Sequence, residues 1–264
     1  MWGAIIGDIA GSRFEGKDMR SKQFALFHGD CRFTDDSVMT VAVARAVMEH
    51  KSNGADLSTE AIKLMQWFGR MYQHRGYGGN FIDWIWSDNP APYNSMGNGA
   101  AMRVSACGFA AKTLVEAKEM AYAVTAVSHN HPEGIRGAQA VASAIFMART
   151  GAGKDDIRQY ITDNFYKIDF EIDDLREYYQ TDVSCQGSVP QAIASFLESQ
   201  SFEDAIRNAI SIGGDSDTIA AIAGSIADAY YGVPQEFINR ARHYVSFTMG
   251  DIINRFEQMF PQNK

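Results

Sequence analysis

Ser211-Ile-Gly-Gly-Asp-Ser-Asp-Thr-Ile-Ala-Ala-Ile-Ala223 sets two carboxylates, hydroxyls and two glycines against the start of an apolar segment. Asp215, Ser216, Asp217 and Thr218 are helix N-cap or first-turn residues, and Ile219, Ile222, Ala223, Ile226 and Ala227 fall on one helical face. The carboxylates therefore stand at a helix mouth. In the plainest reading Asp217 caps this helix, and Gly213 and Gly214 end the one before it. That reading leaves the second aspartate unused. Two carboxylates two residues apart on a glycine-loosened turn repel each other unless a cation lies between them. The segment is not an EF-hand loop: no third acidic ligand follows, no glycine takes the sixth place, and Ile226 stands where the bidentate Glu belongs. A cation here needs ligands from elsewhere in the chain.

Outward from this stretch, nearly every readable segment has a helical period. Val38 to His50 is an apolar helix entered from Thr34-Asp35-Asp36-Ser37. Ser58 is placed to cap a helix whose face is Ala61, Met65, Phe68 and Tyr72, and Val115 to Val127 follows. Pro132 opens a run that ends before Gly151. Ser201 with Asp204 forms a capping box for a helix through Ile212, and Pro234 opens another after Gly232. Only Ile168, Phe170 and Ile172 alternate as a strand does, within a polar segment from Asp163 to Gln186 that reads as a surface excursion. The expected fold is all-α, with residues 1–264 forming one domain.

Composition narrows the function. The 264 residues are 46% hydrophobic, enough to bury a full core. A formal charge of -8 without a Lys/Arg run argues against a nucleic-acid or anionic-membrane surface. Phosphates would have to be held by backbone amides or isolated side chains. Cys31, Cys107 and Cys185 are odd in number and lack CxxC spacing, so they suggest neither a disulfide framework nor a thiolate zinc site, and a reducing cytoplasm fits. The start reads as no signal peptide, and no apolar run is long enough to span a bilayer.

Thr34-Asp35-Asp36 repeats the chemistry of Asp215, Asp217 and Thr218: paired acids and a hydroxyl at a helix mouth. Four carboxylates and two hydroxyls supply hard oxygen ligands for two divalent cations, Mg²⁺ or Mn²⁺ rather than zinc. The competing explanation is two independent N-caps. Two glycine-rich loops, Arg75 to Asn80 (with Gly78) and Ser95 to Arg103, are either phosphate cradles or plain turns. Other all-helical chemistries fit less well. The DDxxD of isoprenoid synthases fails at Asp35-Asp36, where Met39 holds the fifth place, and is matched only loosely by Asp173-Asp174-Leu-Arg-Glu177. A His-Asp phosphohydrolase doublet is missing. His129 and His131 lack a third nitrogen or sulfur ligand, which favours a ligand-contacting or orienting role.

Together, Gly7-Asp8-Ile-Ala-Gly11 with Glu15, Phe33-Thr-Asp-Asp-Ser37, Gly97-Asn-Gly-Ala-Ala-Met-Arg103, Ser128-His129 and Gly213-Gly-Asp-Ser-Asp-Thr218 resemble the ADP-ribosylglycohydrolases. That family includes the dinitrogenase-reductase-activating glycohydrolases and vertebrate ADP-ribosyl hydrolases. The resemblance implies a single-domain orthogonal multi-helix bundle. It also implies a dinuclear Mg²⁺ or Mn²⁺ centre ligated by Thr34, Asp35, Asp36, Asp215, Asp217 and Thr218, with Glu15 over the metals. Gly97, Asn98, Gly99, Ala100, Ser128 and His129 then line an ADP-ribose pocket. The implied activity is hydrolysis of the glycosidic bond of ADP-ribose on a protein side chain or in a small ADP-ribosyl compound, with Asp35, Asp36, Asp215 and Glu15 catalytic. The alternative is a non-catalytic ADP-ribose binder or inhibitory (immunity) protein on the same scaffold. The leaving group (arginine, serine or another linkage) and the oligomeric state stay open, and 151–190 carries none of the family's motifs.

Overall fold

Fifteen helices account for the regular structure of residues 1–262, the part that the computed structural model describes. In chain order they are α1 (Trp2–Gly11), α2 (Asp35–Asn53), α3 (Leu57–Met71), α4 (Gly79–Trp86), α5 (Gly99–Met102), α6 (Ser105–Ala110), α7 (Leu114–Thr125) and α8 (Pro132–Arg149). These are followed by α9 (Lys154–Asn164), α10 (Ile172–Tyr178), α11 (Cys185–Leu197), α12 (Phe202–Ser211), α13 (Ser216–Tyr231), α14 (Gln235–Ala241) and α15 (Phe247–Met259). No strand occurs among the described residues, and the only extended pairing is an isolated antiparallel bridge between Gly97 and Ser184. The fold is an all-α bundle with one continuous apolar core.

The centre of the bundle is α13, and its tightest neighbour is α1. Gly3, Gly7 and Gly11 recur every four residues and so share one face of α1. A Cβ on Gly3 would lie 2.2 Å from Gly224 O, one on Gly7 2.0 Å from Ala220 O, and one on Gly11 2.4 Å from Ser216 O. The partner numbers fall as the glycine numbers rise, so the helices run antiparallel with their backbones touching. All ten residues of α1 are buried. The first turn of α13 thereby meets the last turn of α1. The turn before α13 is equally constrained: Gly213 and Gly214 both have φ of +74°, in the left-handed region that favours glycine.

Several helix starts follow the sequence reading. Thr34 is the N-cap of α2, and Pro132 is the first residue of α8. Ser201 Oγ accepts from Asp204 N at 3.1 Å, but the reciprocal half of the box is absent because Asp204 accepts from Gln200 N instead. Ser58 is not a cap. Asp56 Oδ2 accepts from Thr59 N at 2.9 Å, which starts α3 at Leu57, while Ser58 Oγ donates to Ala123 O. The expected excursion from Asp163 to Gln186 is tied down: Phe165, Tyr166, Ile168, Ile172, Leu175 and Tyr179 are all buried, and Ile172 opens α10 instead of extending a strand.

The α1–α13 contact leaves no room for a methyl group. Gly7→Ala is expected to destabilise the protein by about 1–3 kcal/mol or more through overpacking against backbone. Gly29→Ala, where nothing lies within 4 Å of the added carbon, should stay within about 0.5 kcal/mol of wild type. Urea denaturation midpoints compare the two, and equal midpoints would rule out the backbone contact.

Candidate active site

Because α1 and α13 touch, Asp8 in the last turn of α1 lies beside Asp217 in the first turn of α13. Asp8 is fully buried and organises the start of α2. Its Oδ1 accepts from Thr34 Oγ1 at 2.7 Å, and its Oδ2 accepts from Thr34 N at 2.9 Å, Ser37 N at 3.1 Å and Ser37 Oγ. Thr218 Oγ1 donates to Asp36 Oδ2 at 3.1 Å, so the two helix mouths that the sequence paired are in direct contact. Neither acid at the second mouth behaves as a simple cap. Asp215 holds the N-cap position without a side-chain cap bond, and Asp217 Oδ1 reaches only the neighbouring Thr218 N.

The carboxylates form two triads. One oxygen each from Asp8, Asp36 and Asp217 lie within 4.8 Å of one another, and so do oxygens from Glu15, Asp215 and Asp217, so Asp217 belongs to both. Asp35 is in neither triad but lines the same cleft. Burial pushes the Asp8 carboxyl up to about 6, against the lowering effect of its bonds from Ser37 and Thr34. Burial, then Asp8, holds Asp35 and Asp36 well above the usual carboxylate range; burial, then Asp36, does the same to Asp217. Glu15 is raised by burial and by Asp215, and its cation neighbour, Arg32, is 3.8 Å away. Asp36 Oδ1 is buried with no hydrogen-bond partner. A buried carboxylate oxygen without a donor is costly. A hard divalent cation ligated by oxygen alone fits this donor set.

A cleft of about 330 Å³ rises from this floor. Gly78, Gly97, Asn98, Gly99 and His129 line it; Ala100 and Ser128 do not, being buried. Asn98 Nδ2 donates to Asp215 Oδ2 at 2.6 Å and to Ser188 Oγ at 3.0 Å, tying the glycine loop to the acids. The chain's return from α10 also pins the loop: Asn98 N donates to Val183 O and Cys185 N to Met96 O, both at 2.8 Å, with Val183 on the cleft wall. Most backbone amides of that loop are already engaged. Gly97 N donates to Ser95 Oγ, Asn98 N to Val183 O, Ala100 N to Gly97 O and Ala101 N to Asn98 O.

Comparison with known proteins shows the family. The family model described as ADP-ribosylglycohydrolase matches residues 1–262. The chain belongs to the ADP-ribosylglycohydrolase family. It is similar to ADP-ribosylhydrolase ARH3 of Mus musculus, at 25% identity over 88% of this chain and 83% of the relative. It is also similar to ADP-ribosylarginine hydrolase Tri1 of Pseudomonas putida, at 25% identity over 90% of this chain and 72% of the relative. A solved structure described as an ADP-ribosylglycohydrolase-related protein complex shares the fold, with TM-score 0.71 and 20% identity over 98% of this chain and 95% of the other. No helix of the described residues is long and apolar enough to cross a membrane.

Asp8 and Arg103 stand in the sequence only as members of the resemblance motifs, without a role; the structure adds Asp8 to an acidic triad and Arg103 to the cleft wall. The four-residue glycine spacing that seats α1 on α13 was the signal for Asp8.

The raised carboxyls give a pH prediction with a definite sign. The folded protein keeps protons on groups that titrate near 4 when unfolded, and Asp8 titrates at about 6 when folded. The Asp8 contribution to stability is fully present below about pH 4 and is lost as pH rises through about 6. In chelator-treated protein the melting temperature should therefore fall between about pH 4 and 6, and Mg²⁺ should restore more at the higher pH. A chelated protein indifferent to both would show that the acids are not a cation site.

Proposed function

We propose that the protein is a hydrolase that uses two Mg²⁺ or Mn²⁺ ions to release ADP-ribose from a modified protein side chain, of arginine or serine type, or from a small ADP-ribosyl compound. The observation that carries this reading is the pair of oxygen triads sharing Asp217 at the floor of a cleft. The names of the relatives support the substrate class. Thr34, Asp35, Asp36, Asp215, Asp217 and Thr218 would hold the ions, and Asp8, by its place in the first triad, joins or orients them. When bound, such ions supply an electrophile for the ribose diol and acidify a water molecule.

The chain's own residues do the rest. The glycine loop, tied to the acids through Asn98, and His129 hold the ADP-ribose side against the cleft wall, which fixes the distal ribose over the floor. Glu15, 46% exposed at the rim and with its carboxyl raised by burial and Asp215, is placed to take a proton from water and pass it to the leaving group. Water adds its oxygen to the anomeric carbon, the bond to the acceptor atom breaks, and the acceptor leaves with a proton. The three cysteines are buried free thiols, in keeping with a cytoplasmic setting, and residues 1–264 act as one domain. A non-catalytic binder on this scaffold is the weaker reading, because binding alone gives no reason to retain mutually repelling buried acids.

Asp35→Asn, Asp36→Asn and Asp215→Asn test the proposal. Each amide keeps the size and removes one charge, and Asp215 makes no capping bond to lose. ADP-ribose release from an ADP-ribosylated protein at fixed Mg²⁺ should fall by roughly 100-fold or more in each, with the helical circular dichroism unchanged. Near-wild-type turnover in all three would defeat the proposal.

A further inference from the structure

Arg103 is fully buried directly after α5, and its contacts are neutral. Its Nη2 lies 2.7 Å from Ser128 Oγ, 3.4 Å from Val124 O, and 3.5 Å from both Thr125 O and His129 Nδ1. The guanidinium carbon sits 5.6 Å from the centre of the Phe81 ring, and Nε has no partner. Burial pulls the group down to about 10, which leaves it charged at neutral pH. A buried cation of this kind imposes a direction on every hydrogen bond around it, because a guanidinium donates and never accepts.

The direction runs through Ser128 to His129. Ser128 Oγ accepts from Arg103 and lies 2.9 Å from His129 Nδ1, which is the acceptor within reach of its single hydrogen. Nδ1 then presents a lone pair, and the proton of the neutral ring is on Nε2. The opposite tautomer would aim an N–H at the guanidinium nitrogen 3.5 Å away. Burial and the Arg103 charge also pull the His129 imidazole well below its usual range, against the doubly protonated form. The ring packs against Phe81 and Tyr93, with centroids 5.9 and 5.4 Å away. Its Nε2 faces the glycine loop: a Cβ on Gly99 would come within 3.3 Å of it, and one on Gly97 within 3.8 Å.

We propose that Arg103 and Ser128 are positioning residues that lock His129 in the neutral Nε2–H form, making it a fixed hydrogen-bond donor on the cleft wall beside Gly97 and Gly99. The need for such a donor is visible in the loop. The amides of Gly97, Asn98, Ala100 and Ala101 already have acceptors, so the Gly99 amide and His129 Nε2 are donors on this wall still open to a ligand. On the proposed function, the ligand oxygens they serve are those of the ADP-ribose diphosphate.

Long-range ¹H–¹⁵N correlation spectra of ¹⁵N-histidine-labelled protein without ligand read the tautomer directly, with the His129 signals assigned by their loss in His129→Gln. The expected spectrum has a pyridine-type Nδ1 and a pyrrole-type Nε2. Ser128→Ala should give a mixed tautomer population and weaken ADP-ribose binding, measured calorimetrically, by about tenfold. His129→Gln, whose amide nitrogen reaches the Nε2 position, should bind within roughly threefold of wild type. His129→Asn, one bond shorter, should lose about tenfold or more. A pyridine-type Nε2 in the wild type overturns the proposal, as does a Ser128→Ala variant unchanged in both tautomer and affinity. If the tautomer responds as expected but the wild type binds no ADP-ribose, the relay stands and the reading of the ligand falls.

Discussion

The contact between the glycine face of α1 and the backbone of α13 is the constraint from which the site follows. Three missing side chains let two helices approach until their main chains touch. Only at that distance does Asp8 reach Asp217, and only then do the hydrogen bonds from Thr34 and Ser37 to Asp8 set α2 with its own acids facing inward. A bulkier face on α1 would push the two helix mouths apart and leave each aspartate pair as an ordinary solvated cap.

The arrangement costs stability. Buried acids close enough for one oxygen from each of three to fall within 4.8 Å cannot all be ionised without a counter-charge. The protein carries the strain in two visible ways: carboxyls held above their usual range, and an Asp36 oxygen that nothing in the chain donates to. A structural role would have favoured replacing these groups with apolar residues. Kept together at the bottom of a cleft, they offer a cation an all-oxygen donor set. The cleft wall at Arg103 shows the opposite electrostatics, a buried guanidinium with neutral contacts.

Much of this was legible in the sequence wherever local chemistry decides structure. The caps Thr34 and Ser201, Pro132 at a helix start and the apolar faces of α2 and α13 all act locally, and the pairing of the two acidic mouths followed from their like composition. What escaped was set by contacts distant in the chain. Glycines lower helix propensity, so Trp2–Gly11 lacks the look of a helix until α13 is laid against it. Asp56 took the cap from Ser58 because Ser58 found Ala123 O on another helix. Residues 165–179 bury aromatic and aliphatic side chains without a regular period, so their polar composition disguised a packed segment. Arg103 was invisible to reasoning from charge runs, since one buried cation makes no run.

The central claim is that the helix mouths of α2 and α13 form one cation site. Crystals grown with Mn²⁺ and measured at the manganese absorption edge test it most directly. The account predicts two anomalous peaks at the cleft floor, in contact with oxygens drawn from both helix mouths. No peak there, or a single ion held by one mouth alone, would contradict it.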